Sequence, residues 1–175
     1  MITMEVTGYK LMVALKELAF LKETAEGIFD DSLWAFEDET KPTPKNAMND
    51  FILAESDFAL VQTAQAQYNQ SVTVKVAGLD FPLAQAVKLV GGAGRIEKKW
   101  REAAGVKKKE RYNFDNPRER LRDESIEYAT RQITTEDVQA EAKKAAKYAS
   151  ALREAVQVGN AVKVEIEGLD PALFE

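Results

Sequence analysis

One short phrase occurs three times and constrains the fold more than any other feature of the chain. It reads Met4-Glu5-Val6-Thr7-Gly8, then Val74-Lys75-Val76-Ala77-Gly78, then Val164-Glu165-Ile166-Glu167-Gly168. The last two copies match best: Val72, Val74, Gly78, Leu79, Asp80 and Leu83 recur as Val162, Val164, Gly168, Leu169, Asp170 and Leu173, at a constant offset of 90. Each copy alternates apolar and polar side chains and stops at glycine, as a half-buried strand ending in a turn does. Periodic helical stretches lie between the copies. The expected layout is strand, helix–loop–helix, strand, helix–loop–helix, strand. That is one domain over 1–175, internally duplicated, with pseudo-repeats at about 1–77 and 78–168.

The helices follow from 3-and-4 spacing of apolar residues. Leu11, Leu15, Leu18 and Ala25 define a first helix from about 9 to 27, with Gly27 as its stop. A loop is expected over 28–46, with Asp30, Asp31, Glu37, Asp38 and Glu39 around Trp34 and Phe36, then Pro42 and Pro44. Phe51, Ala54, Phe58, Val61 and Tyr68 define a second helix over about 46–69. Pro82 suits the first turn of a third helix behind an Asp80 cap. Its face is Leu83, Ala86, Val90, Ala93, Trp100 and Ala104, with Glu97 as the exception and Gly91, Gly92 and Gly94 in the middle. A second long loop spans about 106–133, with a short strand within Ser125–Ile133. The fourth helix is capped by Thr134 or Thr135 and keeps Val138, Ala142, Ala145, Ala149, Leu152 and Val156 in strict 4-3-4-3-4 spacing, before Gly159 ends it. Alanine at such a seam contributes little burial but lets another helix approach closely, so Ala142, Ala145, Ala149 and Leu152 are expected in a tight helix pair or a subunit contact. The fold class is therefore mainly α (α+β): two helical hairpins forming a four-helix bundle, with the short strands as a small sheet at one end. An exposed strand edge there invites pairing with another subunit.

Composition narrows the chemistry. No cysteine means no disulfide, thiolate nucleophile or cysteine metal site, and no histidine removes Ser-His-Asp triads and imidazole-ligated metals. Any catalysis would use carboxylates, lysine, tyrosine, hydroxyls or an oxygen-ligated metal. With 45% hydrophobic residues the chain can bury a core, and its net charge of −5 argues against general nucleic-acid binding. No run of about 18 apolar residues reads as a membrane span. Glu5 and Lys10 interrupt any signal-peptide pattern, so the cytoplasm is the expected location.

Several stretches occur together along the chain: Lys10-Leu11-Met12-Val13-Ala14-Leu15, a second helix ending near Asn69, and the turn Gly78-Leu79 leading to Ala86. They are followed by Arg122 to Ile126, Thr135 to Val138, and an alanine-rich helix with Leu152-Arg153 and a closing Asn160. In this order and spacing the chain resembles the septicolysin-like family of small bacterial helical proteins. The chain departs from the family in its acidic aromatic loop, its three glycines and its proline-bearing 106–122 insert. The resemblance implies two helical hairpins in an oligomer, and no catalytic residues.

Three constellations carry candidate chemistry. Gly91-Gly92-Ala93-Gly94-Arg95, with Lys98, Lys99, and Trp100 or Tyr112 for stacking, can form a site for an anionic small ligand such as a nucleotide. It lacks the Gly-Lys-Ser/Thr of a Walker motif, and the glycines equally permit a kink or close helix contact. The basic stretch Lys107-Lys108-Lys109 to Arg122 holds Tyr112 and Phe114, an arrangement that can bind single-stranded nucleic acid or a nucleotide, but interleaved carboxylates nearly cancel its charge. The acidic loop can hold a divalent cation, without EF-hand spacing, or meet a neighbour's basic loop. The resulting expectation is a non-enzymatic homo-oligomer acting through self-assembly or partner binding, without a cofactor. The alternatives are a protein, phage-encoded in one version, that sequesters or senses an anionic ligand, and a carboxylate- or metal-dependent enzyme.

Overall fold

The computed structural model describes residues 3–105, 110–112 and 126–174. The chain is mainly helical, with four long helices and short antiparallel strand pairs. The elements are β1 (Thr3–Val6), α1 (Gly8–Ser32), α2 (Pro44–Ser71), β2 (Thr73–Val76), β3 (Leu79–Pro82), α3 (Leu83–Gly105), β4 (Glu110–Tyr112), β5 (Ile126–Tyr128), α4 (Thr135–Ala161) and β6 (Val164–Glu167), followed by a 3₁₀ turn at Pro171–Phe174. They fall into two compact units. The first comprises residues 1–87 and 154–175, and the second residues 88–153.

In the first unit, the three copies of the repeated phrase do not share a sheet. The first and third copies pair with each other: β1 runs antiparallel to β6, with Val6 opposite Val164 and Thr3 opposite Glu167. The second copy, β2, pairs with β3, which is the stretch expected to cap the third helix. Ala77 and Gly78 make the two-residue turn between them, both with positive φ (51° and 85°), as a tight hairpin of right-twisted strands requires. Asp80 is thus a strand residue and no helix cap, and Pro82 ends β3 where no further ladder N–H is needed. The helix begins instead at Leu83, whose N–H donates to the Val72 carbonyl at 2.7 Å.

The alternation of the phrase buries one side of each strand. Val6, Val74, Val76 and Ile166 are buried, and they join Leu11, Val61, Tyr68, Leu83, Leu169 and the C-terminal turns of α4 in the core of this unit. Tyr68 is its most voluminous fully buried side chain, and its hydroxyl lies 2.7 Å from both the Gly159 and Val162 carbonyls. These are among the carbonyls that a helix C-terminus leaves without an intrahelical donor. Gly159 lies inside α4 and does not end it. A Cβ there would stand 2.7 Å from Val74 and 2.8 Å from Leu83, so glycine is what lets the helix press against the β2–β3 hairpin.

Gly27 is no stop either. α1 passes through it to Ser32, and the loop contracts to 33–43 before Thr43 caps α2 with Pro44 in the first turn. α1 and α2 pack along one another as a hairpin.

In the second unit, α3 runs without a break through Gly91, Gly92 and Gly94. Glu97, the polar exception on its apolar face, has a structural reason. It is half-buried and pairs with Arg101 one turn on at 2.6 Å and with Arg153 of α4 at 3.5 Å. Arg131 donates to the Ala103 carbonyl at 2.6 Å, so α4 returns antiparallel to α3. The expected short strand exists as β5, paired with β4. Thr134 is the cap of α4: its hydroxyl accepts the Asp137 N–H at 3.0 Å and donates to the Asp137 carboxylate at 2.6 Å.

Candidate interaction site

The α1–α2 hairpin hides one stripe of each helix and leaves a second stripe uncovered. Leu11, Ala14, Leu18 and Ala25 of α1 and Ala47, Val61, Ala64 and Tyr68 of α2 are buried. One flank of the hairpin is closed by polar contacts. Lys22 pairs with Glu55 at 3.2 Å and sits 4.8 Å above the Phe58 ring. The other flank is an open groove of about 350 Å³, lined by Leu18, Leu21, Ala25 and Ile28 from α1 and by Leu53 and Ala54 from α2. Asp50 and Asp57 edge it on the α2 side. Leu21, Ile28 and Leu53 remain about half exposed or more, and Phe20 and Ile52 also face solvent.

The far end of the hairpin continues this pattern. Trp34 is 82% and Phe36 78% exposed, among the carboxylates of the acidic loop. Glu39 accepts the Phe36 N–H at 3.2 Å and pairs with Lys41 at 3.4 Å. The Phe36 N–H, and then Lys41, hold its carboxyl below the ordinary glutamate range. Among the described residues, no three acidic side chains converge as a metal would require.

The sequence-predicted ligand site lies on α3. Arg95, Lys98 and Lys99 are exposed and Trp100 is half-buried. Lys98 and Lys99 both turn to Glu102, at 3.9 and 3.0 Å, and Lys99 above all holds that carboxyl below its ordinary value. The glycines do not form a phosphate-cradling loop, because their N–H groups belong to a continuous helix. Among the described residues nothing approaches within 4 Å of a Cβ built at Gly92 or Gly94, so no close helix contact explains them. Tyr112 lies in β4, with its side chain outside the described residues, as are Lys107–Lys109, Phe114 and Arg118 to Arg122. Of the α4 seam, Ala149 and Leu152 are buried and Ala142 and Ala145 half-buried.

The groove is what the sequence reading missed. Its signal was present: Leu21 and Ile28 of α1 and Leu53 of α2 are apolar residues that the core stripes do not use. No family model, curated protein or solved structure matches the chain. Among the described residues no helix is long and apolar enough to cross a membrane.

Proposed function

We propose that this chain is a non-enzymatic, cytoplasmic helical protein that acts by self-assembly. The observation that carries the reading is the uncovered apolar surface of the α1–α2 hairpin, from Phe20, Leu21, Ile28, Ile52 and Leu53 to Trp34 and Phe36 at its tip. Exposed apolar side chains beside an open groove favour a contact site, and tryptophan is among the residues most enriched where binding energy concentrates. The four-helix bundle belongs to the same proposal: α1–α2 and α3–α4 each supply a helix pair, and two pairs make a four-helix core. So does internal duplication, with each half contributing a strand phrase and a helix pair. The resemblance to septicolysin-like proteins points the same way, because it implies an oligomer of helical hairpins.

Native mass spectrometry of the gently purified full chain tests the reading. A homo-oligomer of constant subunit number is expected. A monomer at every concentration would sink it, and a stoichiometric extra mass of a small molecule would transfer the function to ligand binding.

A further inference from the structure

We infer that the α1–α2 groove of one copy receives the outer face of α3 from a second copy, with Asp50 and Asp57 set against Lys88 and Arg95. The inference rests on the self-assembly reading and names its contact. On α2, Asp50, Leu53, Ala54 and Asp57 share one stripe, and the two carboxylates stand seven residues apart, about 10 Å along the helix. On α3, Lys88, Gly91, Gly92 and Arg95 share one stripe, and the two cations stand the same seven residues apart, again about 10 Å. The charges therefore register whichever way the two helices run.

The side chains between the charges are complementary as well. Leu53 projects from the acidic stripe, 62% exposed, and the basic stripe offers Gly92, where nothing stands within 4 Å of a Cβ among the described residues. Ile96, 56% exposed beside Arg95, adds an apolar side chain next to the basic stripe. Arg95 folds back toward Gly91, its Nη1 3.7 Å from where a Cβ would stand there. Neither Asp50 and Asp57 nor Lys88 and Arg95 has an ion-pair partner among the described residues, whereas Lys98 and Lys99 are occupied by Glu102. The charges fix register and steer encounter, and the apolar burial supplies the affinity. The groove and the α3 stripe are different patches, so the contact is made reciprocally in a dimer or head-to-tail in a ring.

The test is the mass of the full chain by sedimentation velocity, at low and high salt. Two charge-reversed chains are compared: Asp50→Lys with Asp57→Lys, and Lys88→Asp with Arg95→Asp. Each alone sets like charges against each other and is expected to associate at least roughly tenfold more weakly than the parent. Mixed one to one, they regain complementary charges at every contact of a dimer or an even-numbered ring and are expected to reassociate. Circular dichroism checks each chain, and Leu53→Glu, a single change on an exposed rim, is expected to dissociate the oligomer where a reversed chain loses helix content. An oligomer that keeps its mass in the reversed chains or in Leu53→Glu overturns this contact and leaves self-assembly standing. Dissociation of both folded reversed chains without recovery on mixing overturns the Asp–Lys/Arg pairing. A parent chain that is monomeric throughout overturns both readings.

Discussion

The Tyr68 hydroxyl has one proton and two carbonyls, Gly159 and Val162, to share it. It ties the end of α2 to the end of α4 inside a buried core, so its removal is a loss of satisfaction as well as of a bond. Tyr68→Phe keeps the ring and is expected to cost about 1–3 kcal/mol, read as a lower urea midpoint with unchanged slope. Ala77 presents the opposite case, an alanine held at φ 51° in the left-handed region. That conformation costs a β-carbon roughly 1–2 kcal/mol, and Asn-Gly is the favoured pair for this turn. Ala77→Asn is accordingly expected to raise the melting temperature. Gly8, the glycine of the first copy, is buried, and a Cβ there would run into Asn160 and the Tyr68 ring. The same glycine thus ends one copy for conformation and another for space, which alternation along a chain cannot reveal.

Glu39 sets a pH dependence at this scale. Its carboxyl is lowered in the folded chain by the Phe36 N–H and by Lys41, so its stabilising contribution is present above the unfolded value and fades as pH falls through the folded one. A carboxyl NMR titration is expected to find the Glu39 midpoint below that of ordinary glutamates. Lys41→Ala should move it only part of the way back, because the backbone donor remains.

At the scale of elements, the helix faces were legible in the sequence and the helix ends were less so. Leu11, Leu18 and Ala25, or Val138, Ala149 and Leu152, are buried where their spacing puts them, because a 3.6-residue period has only one way to form a continuous apolar stripe. Glycine was the weaker guide. Gly27 and Gly94 lie within helices, and nothing stands within 4 Å of a Cβ at either among the described residues. Gly27→Ala and Gly94→Ala are each expected to stabilise by about 1 kcal/mol, which thermal unfolding followed by circular dichroism would register. A true C-terminal glycine with positive φ would give the opposite sign. The β2–β3 hairpin was masked by its own residues, since Asp80 and Pro82 suit a helix start as well as they suit a short edge strand. The Val72 carbonyl, which takes the first N–H of α3, decides between them. Thr134→Ala removes both halves of its exchange with Asp137 and is expected to cost about 1 kcal/mol at the start of α4.

At the scale of the whole molecule, the question is what covers the apolar flank of α1–α2. Association that buries it stabilises the folded state by mass action, so the melting temperature is expected to rise with protein concentration. A melting temperature independent of concentration would point to a monomer that tolerates this surface. Charge at the rim adds that the rise should be smaller in high salt, where screening shortens the reach of Asp50 and Asp57. The sequence alone determined four amphipathic helices, the strand phrases between them and the chemistry that a chain without cysteine or histidine lacks. Those features depend on residue type and on spacing within a few turns, which are local. Tertiary structure alone decided that the first phrase pairs with the third, that Tyr68 closes the end of α4, that Glu97 answers Arg153, and that a groove stays open beside Leu53. Each of these joins residues far apart in the chain or depends on what a neighbouring helix leaves uncovered, and periodicity along one segment carries no record of its partner.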